Sequence, residues 1–282
     1  MEHRALYRKM MWNCHKKILS LILFFLALPV FSSQVFPPVD QSGLRRIDLQ
    51  AQSIIEQYIK KTPNTKSMYF NQQTGQYTIQ RLALHQKIID ELLHNRPCVN
   101  KKQAIALFTA GLAGSGKTTF LKKNITDINQ YVHIDADKIR EKLPEYKGWN
   151  AINTQDEVTD IINNVFNHLE KHCENNIIYD GSLVGQKYID TAIHLKKLGY
   201  KIYLVYLQIP ITVAKERALK RYQKTGRYVS ANFIIYVSQH IANSFAKMEP
   251  YLDGYIIVDG MTGKIIEEKN FDLKLLGKSK PF

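Results

Sequence analysis

Residues 111–119, Gly111-Leu112-Ala113-Gly114-Ser115-Gly116-Lys117-Thr118-Thr119, gather three glycines, one lysine and three hydroxyls into a single short stretch. An apolar run, AIALFTA (104–110), precedes them, and a helix-like stretch follows. The spacing Gly-x4-Gly-Lys-Thr in that setting is a phosphate-binding loop. Its glycines let backbone N–H groups converge on a β-phosphate, Lys117 reaches the β- and γ-oxygens, and the Thr118 hydroxyl suits Mg²⁺. The chemistry implied is the binding and use of a nucleoside triphosphate.

Phosphoryl transfer also needs an acceptor-activating base and cations for the charge on the transferred group. Asp135 and Asp137, in IDADKIR, stand at the end of a candidate strand, where ligands of open α/β sheets bind. Read as strand alternation, their spacing puts both carboxylates on one side, free to divide metal and base duties. Capping of the helix that follows is the competing reading. Asp180, in YDGSL, ends the next strand and could hold the acceptor or a metal-bound water, with Ser182 beside it a candidate for substrate contact, although Asp-Gly is also a turn signal. The cations come from KERALKRYQKTGRYV. Arg221 and Arg227 bracket an expected lid and suit phosphate clamping, whereas Arg217 reads as one arginine of a surface helix.

Several nucleotide-using classes are excluded. The chain has no Asn-Lys-x-Asp for reading guanine and no Leu-Ser-Gly-Gly-Gln of transporter ATPases. Only about 165 residues follow the loop, compact for a mechanical ATPase. A small-molecule or nucleotide kinase using ATP and Mg²⁺ remains.

The elements that must position these residues alternate. Candidate strands are 104–110, 131–135, 176–180, 201–207 and 255–259, each nearly continuous in apolar residues, as in a parallel sheet covered on both faces. Between them lie amphipathic stretches. In 154–172, Thr154-x-x-Glu157 predicts a capping box, and Val158, Ile161, Ile162, Val165, Phe166 and Leu169 predict one buried face. Gly199 stands where a helix should end. The expected fold is a doubly wound, three-layer α/β domain with a five-stranded, mainly parallel sheet over residues 96–282. A helical segment (44–95) precedes it, with helices at 44–60 and 79–93 and a polar, turn-rich connection between them.

Composition is globular: 45% hydrophobic and 23% charged in 282 residues, with a net charge of +14. No Lys/Arg-rich block stands out, so nucleic acid is not the expected partner. Residues 1–32 differ: five basic residues against Glu2 alone, then ILSLILFFLALPVF without a charge. That pattern predicts a signal peptide and export, with a membrane anchor as the alternative and membrane contact confined to this segment. Residues 33–43, with Pro37, Pro38 and Gly43, read as a linker. Cys98 and Cys173 have no metal-binding spacing and leave a single disulfide or two thiols open.

The ordered motifs FTAGLAGSGKTT, HIDADKIREKLPEY, IIYDGSL, TAIHLKKLGYKIYLVYL and KRYQKTGRYV resemble the zeta toxin family of P-loop kinases over roughly residues 80–260. The upstream RLALHQKIIDELL resembles the helix that often precedes such domains. The resemblance implies ATP-dependent phosphorylation of a sugar hydroxyl, usually on UDP-N-acetylglucosamine. It also makes a proteinaceous inhibitor an expected partner, though no such segment is evident in the chain. It matches Lys117 to the P-loop lysine, Asp137 to the catalytic base, Arg221 and Arg227 to phosphate-binding arginines, and Thr191 to a substrate-contacting threonine. Asp180 departs from the family, which commonly has Glu there. A kinase for another small molecule, nucleotide or protein, and a catalytically idle nucleotide-binding module, are the readings left beside it.

Overall fold

Local signals explain where the first helices begin. In the computed structural model, which describes residues 36–99, 104–172 and 174–275, Asp48 caps α1 (Leu49–Lys61) by accepting from the Ala51 amide. Asn64 caps a short α2 (Thr65–Tyr69), and Thr78 caps α3 (Ile79–Leu93) by accepting from the Arg81 amide. Each cap satisfies an N–H that has no partner within its helix. The connection expected to be irregular instead holds α2 and a hairpin of β1 (Phe70–Asn71) and β2 (Gln76–Tyr77). Asn71 accepts from the Gln73 amide and Gly75 supplies a positive φ, so turn chemistry builds the hairpin where no apolar periodicity signals one. Residues 1–32, assigned above to a signal or anchor, lie outside the described residues. Residues 36–39 are the described end of a separate N-terminal unit, and residues from Asp40 onward form the other.

The main sheet contains β3 (Ile105–Ala110), β4 (Val132–Asp135), β5 (Ile177–Asp180), β6 (Lys201–Gln208), β7 (Gly254–Asp259) and β8 (Ile265–Lys269), in the order β4-β5-β3-β6-β7-β8. Five strands are parallel, as the apolar runs predict; β8 is a sixth, pairing antiparallel with β7. Its sequence, Ile-Ile-Glu-Glu-Lys, is mostly exposed, which is why an apolar-run criterion passes over it. β3 lies between β5 and β6, so the loop leaving it opens at the point where strand order reverses, the usual ligand crevice of such sheets.

Strand alternation divides the core into two layers. Ala106, Phe108, Ile134, Ile177, Tyr179, Leu204 and Ile257 meet α6 (Gln155–His172), α7 (Gln186–Lys197), α8 (Ile211–Thr225) and α9 (Ala231–Met248). On the other face Leu107, Ile178, Val205 and Ile256 pack on Phe120 and Leu121 of α4 (Lys117–Asn124) and on Phe271. Val158, Ile161, Ile162, Val165 and Leu169 of α6 are buried as predicted. Gly199, at φ +95°, ends α7 with the Gly199 and Tyr200 amides bonded to the carbonyls of Lys196 and Leu195.

The predicted capping box of α6 does not form. Thr154 donates to the Ala151 carbonyl within a 3₁₀ turn, and Glu157 turns inward. There it accepts from Arg81 Nη2 at 2.8 Å and pairs with His85 Nε2 at 2.6 Å. Arg81 also bridges to Glu145 at 2.7 Å. A buried guanidinium offers Glu157 a stronger, charge-assisted partner than its own helix terminus does. This network joins α3 to α6 and to the segment leading towards the site. Cys98 is disulfide-bonded, while Cys173 lies outside the described residues.

Candidate active site

β3 delivers the chain into the phosphate loop, whose backbone only glycine accommodates at its ends. Gly111 has φ +141°, and a Cβ there would lie 2.6 Å from the Leu207 carbonyl. Gly116, at φ +94°, precedes α4, so Lys117 opens the helix whose free N–H groups face the loop. Lys117 Nζ donates to the carbonyls of Gly111 and Leu112 at 2.9 and 3.0 Å. Arg217 is not a solvated surface arginine as expected: its Nη1 donates to the carbonyls of Gly114 and Gly260 at 3.3 Å, bracing the loop against α8. Burial pushes the Lys117 ammonium down to about 8; Asp180 opposes that shift, and Arg221 and Arg227 reinforce it. Burial likewise lowers both of those guanidinium pKa values. The pocket therefore concentrates poorly solvated positive charge, the electrostatic condition for holding polyphosphate.

A second cluster forms at the strand ends under the first turn of α4. The register pairs Asp135 with Asp180, and His133 lies two residues before Asp135 on the same face of β4. Thr109 of β3 donates to Asp180 Oδ1 at 2.7 Å, and Thr118 Oγ1 lies 3.4 Å from Asp180 Oδ2. Ligand atoms of His133, Asp135 and Asp180 all lie within 4.8 Å of one another, a donor set that fits a divalent cation. Burial works against ionisation of Asp180, but His133, Lys117 and Thr109 outweigh it and hold its carboxyl below the ordinary value. Burial and the neighbouring Asp180 charge raise Asp135 instead.

Asp137 belongs to neither the strand nor that cluster. The chain enters α5 (Ala136–Arg140) directly after Asp135, which accepts from the Asp137 amide at 2.8 Å, so strand alternation does not extend to Asp137. The two carboxylates consequently face different partners, not one side. Asp137 is clamped by Arg140, one helical turn on, and by Arg227. Arg227 follows α8 on a loop held to the segment before α6: the Tyr228 amide donates to Gly148, and a Cβ on Gly148 would lie 2.5 Å from the Gly226 carbonyl. Arg221, on α8, has Nε and Nη2 buried without a hydrogen-bond partner among the described residues.

The remaining candidates are placed less centrally. The Ser182 hydroxyl lies 3.5 Å from the Val184 amide, in the turn after β5. Thr191 donates to the Lys187 carbonyl inside α7, and the described hydrogen bonds do not join it to the carboxylates. Leu112, Ala113 and Ser115 line the loop, while Thr119 faces solvent. Sequence reasoning missed His133, Arg140, Thr109 and Tyr188. Period-two spacing from Asp135 would have found His133, and i,i+3 spacing from Asp137 would have found Arg140 once the helix start was known. Tyr188 is buried, and a Cβ on Gly181 would lie 2.2 Å from its hydroxyl. No local pattern announces it.

The profile of the zeta toxin family matches residues 89–269. The chain belongs to the zeta toxin family. It is a P-loop phosphotransferase, an ATP-using kinase, and the zeta toxin domain carries every site residue named above from Thr109 onward. Its fold resembles that of the PezAT chromosomal toxin–antitoxin system of the human pathogen Streptococcus pneumoniae, at 20% identity over 68% of this chain and 83% of that one, TM-score 0.56. It also resembles AvrRxo1-ORF1:AvrRxo1-ORF2 with sulphate ions, at 16% identity over 76% and 81%, TM-score 0.54. The same complex with ATP matches at 15% identity over 70% and 73%, TM-score 0.52. At such identities the likeness speaks for the fold alone. No curated protein is significantly similar in sequence.

Proposed function

We propose that this phosphotransferase moves the γ-phosphoryl group of ATP to a hydroxyl of a sugar nucleotide of the UDP-N-acetylglucosamine type. The observation that carries the transfer chemistry is Arg221: a guanidinium with two buried, unpartnered nitrogens, near enough to Lys117 to depress its pKa. Buried donors left unpaired are costly, and a triphosphate would satisfy them. In this reading the loop amides and Lys117 hold the β- and γ-phosphates, while Arg221 and Arg227 neutralise the transferred group. The acceptor oxygen bonds to the γ-phosphorus as the bond to the ADP oxygen breaks, and the acceptor proton passes to Asp137. Ion pairs with Arg140 and Arg227 hold the Asp137 carboxylate in place for that role. Thr118 and Asp135 would hold a divalent cation, Mg²⁺ as kinases commonly use, which would supply charge neutralisation on the phosphates.

The sugar nucleotide rests on the family. Asp180 favours a second reading, another small hydroxyl acceptor, because its oxygens are turned to Thr109, Thr118 and His133. Transfer of ³²P from ATP to a panel of uridine-diphosphate sugars, nucleosides and oligonucleotides tests both. The first reading expects uridine-diphosphate amino sugars to be labelled far faster, and preferential labelling of nucleic-acid ends would overturn it.

Two further parts of the proposal concern setting. PezAT is a toxin–antitoxin system and AvrRxo1-ORF1 pairs with ORF2, which supports a proteinaceous inhibitor for this chain. The cationic and then apolar residues 1–32 support export, with a membrane anchor as the alternative. Mass spectrometry of protein from its native producer should find a new N-terminus near Ser33 or Gln34, and an intact Met1 would refute cleavage.

A further inference from the structure

We propose that His133 is a metal ligand, so that the phosphotransferase site takes a transition-metal divalent cation through an imidazole nitrogen. The inference deepens the proposed function and rests on it for the use made of the metal; the binding claim stands on geometry.

Three register positions converge. His133 and Asp135 leave the same face of β4, and the β4–β5 pairing sets Asp180 beside Asp135. His133 Nε2 lies 3.5 Å from Asp180 Oδ2, and all three ligand atoms fall within a 4.8 Å span. The Thr118 hydroxyl lies 3.4 Å from the same Asp180 oxygen, which places the cluster against the first turn of the phosphate-loop helix. Thr109 satisfies Asp180 Oδ1, and Asp135 Oδ1 caps α5. His133 Nε2 is buried, and its partner among the described residues is Asp180 Oδ2, at a separation longer than an ordinary hydrogen bond. The nitrogen thus faces the carboxylate cluster with room for an ion between them.

The donor set decides the class of cation. Mg²⁺ prefers oxygen donors in a near-ideal octahedron, and an imidazole is a poor addition to that set. Mn²⁺ and later divalent ions accept mixed nitrogen and oxygen ligation and bind it more tightly. Two carboxylates, a hydroxyl and one imidazole therefore favour a transition metal over Mg²⁺, while leaving positions for phosphate oxygens and water.

The test uses Mn²⁺ itself, bound to the full chain without nucleotide. Pulsed electron paramagnetic resonance should show ¹⁴N modulation from a directly coordinated imidazole, and competition should require at least about 10-fold more Mg²⁺ than Mn²⁺ for half displacement. In His133→Asn and His133→Phe the modulation should vanish and the Mn²⁺ Kd should rise on the order of 10-fold or more. Thermal melting of each variant identifies any that fails to fold, and the spectrum of the unmodified protein needs no variant. An oxygen-only Mn²⁺ spectrum, or unchanged Mn²⁺ affinity in folded His133 variants, overturns the inference. Phosphoryl transfer is measured on the same samples. Transfer with Mg²⁺ by a protein lacking nitrogen coupling rejects the imidazole ligand and keeps the kinase reaction. Nitrogen coupling without transfer to any acceptor does the reverse.

Discussion

Asp135 and Asp137 are two residues apart, yet the structure separates them by function of place. Asp135 ends a strand and faces His133 and Asp180, whereas Asp137 sits in α5 between two guanidinium groups. Asp137→Asn keeps shape and hydrogen-bonding reach but cannot accept a proton. The expected outcome is normal folding, ATP affinity within a few-fold, and transfer slower by about 10²-fold or more, read from a binding titration and a steady-state rate. Lys117→Ala should weaken ATP binding and abolish transfer, because backbone amides alone leave the γ-phosphate charge uncompensated; unaltered turnover would count against the assigned loop. At this scale the sequence was informative wherever chemistry and spacing coincide, as in 111–119. It was silent on Arg140 and Tyr188, whose roles depend on where a five-residue helix starts and on which turn a distant hydroxyl meets.

Among elements, the loop bearing Arg227 is the one whose position is imposed from outside. Gly148 has φ +82° and comes so close to Gly226 that a methyl group would displace the loop backbone. Gly148→Ala should cost about 1–2 kcal/mol from the left-handed backbone alone, more with the displacement, and should lower the melting temperature. Transfer should drop beyond what the lost folded fraction explains, since Arg227 moves with Gly226. A rate that tracks only the folded fraction would show that the loop adjusts freely. Apolar runs announced all five parallel strands and the buried face of α6. Two elements escaped that criterion for opposite reasons: β8 is too exposed, and the β1–β2 hairpin depends on side-chain-to-backbone bonds. The capping box failed because a local motif lost its glutamate to a stronger tertiary partner.

For the whole molecule, that glutamate ties residues outside the family-matched stretch to those inside it. Arg81 and Glu157 are both buried, and Arg81 and His85 hold Glu157 at about 2, below the ordinary 4.5, against the penalty of burial. A carboxyl lowered on folding adds stability that is complete above its unfolded value and disappears as pH falls towards its folded one. Denaturation midpoints should therefore decline as pH drops from about 4.5 to about 2. Glu157→Gln should flatten that decline while costing about 3–5 kcal/mol at neutral pH, because it leaves Arg81 short of a charge partner in the interior. A variant as stable as the parent at pH 7 would show the ion pair to be dispensable.

β8 has a consequence for how the molecule behaves in company. Without it, β7 would end the sheet as an apolar edge from Tyr255 to Val258, with a row of free amides and carbonyls. Such an edge recruits strands from other chains. β8 occupies it and presents Glu267, Glu268 and Lys269 to solvent, with an irregular register at Ile257/Val258. Charge and irregularity make that outer border a poor template for cross-β growth, so the protein should stay dispersed when concentrated. Clipping the chain just before Ile265 would remove that protection and offer the β7 edge to strands of neighbouring copies.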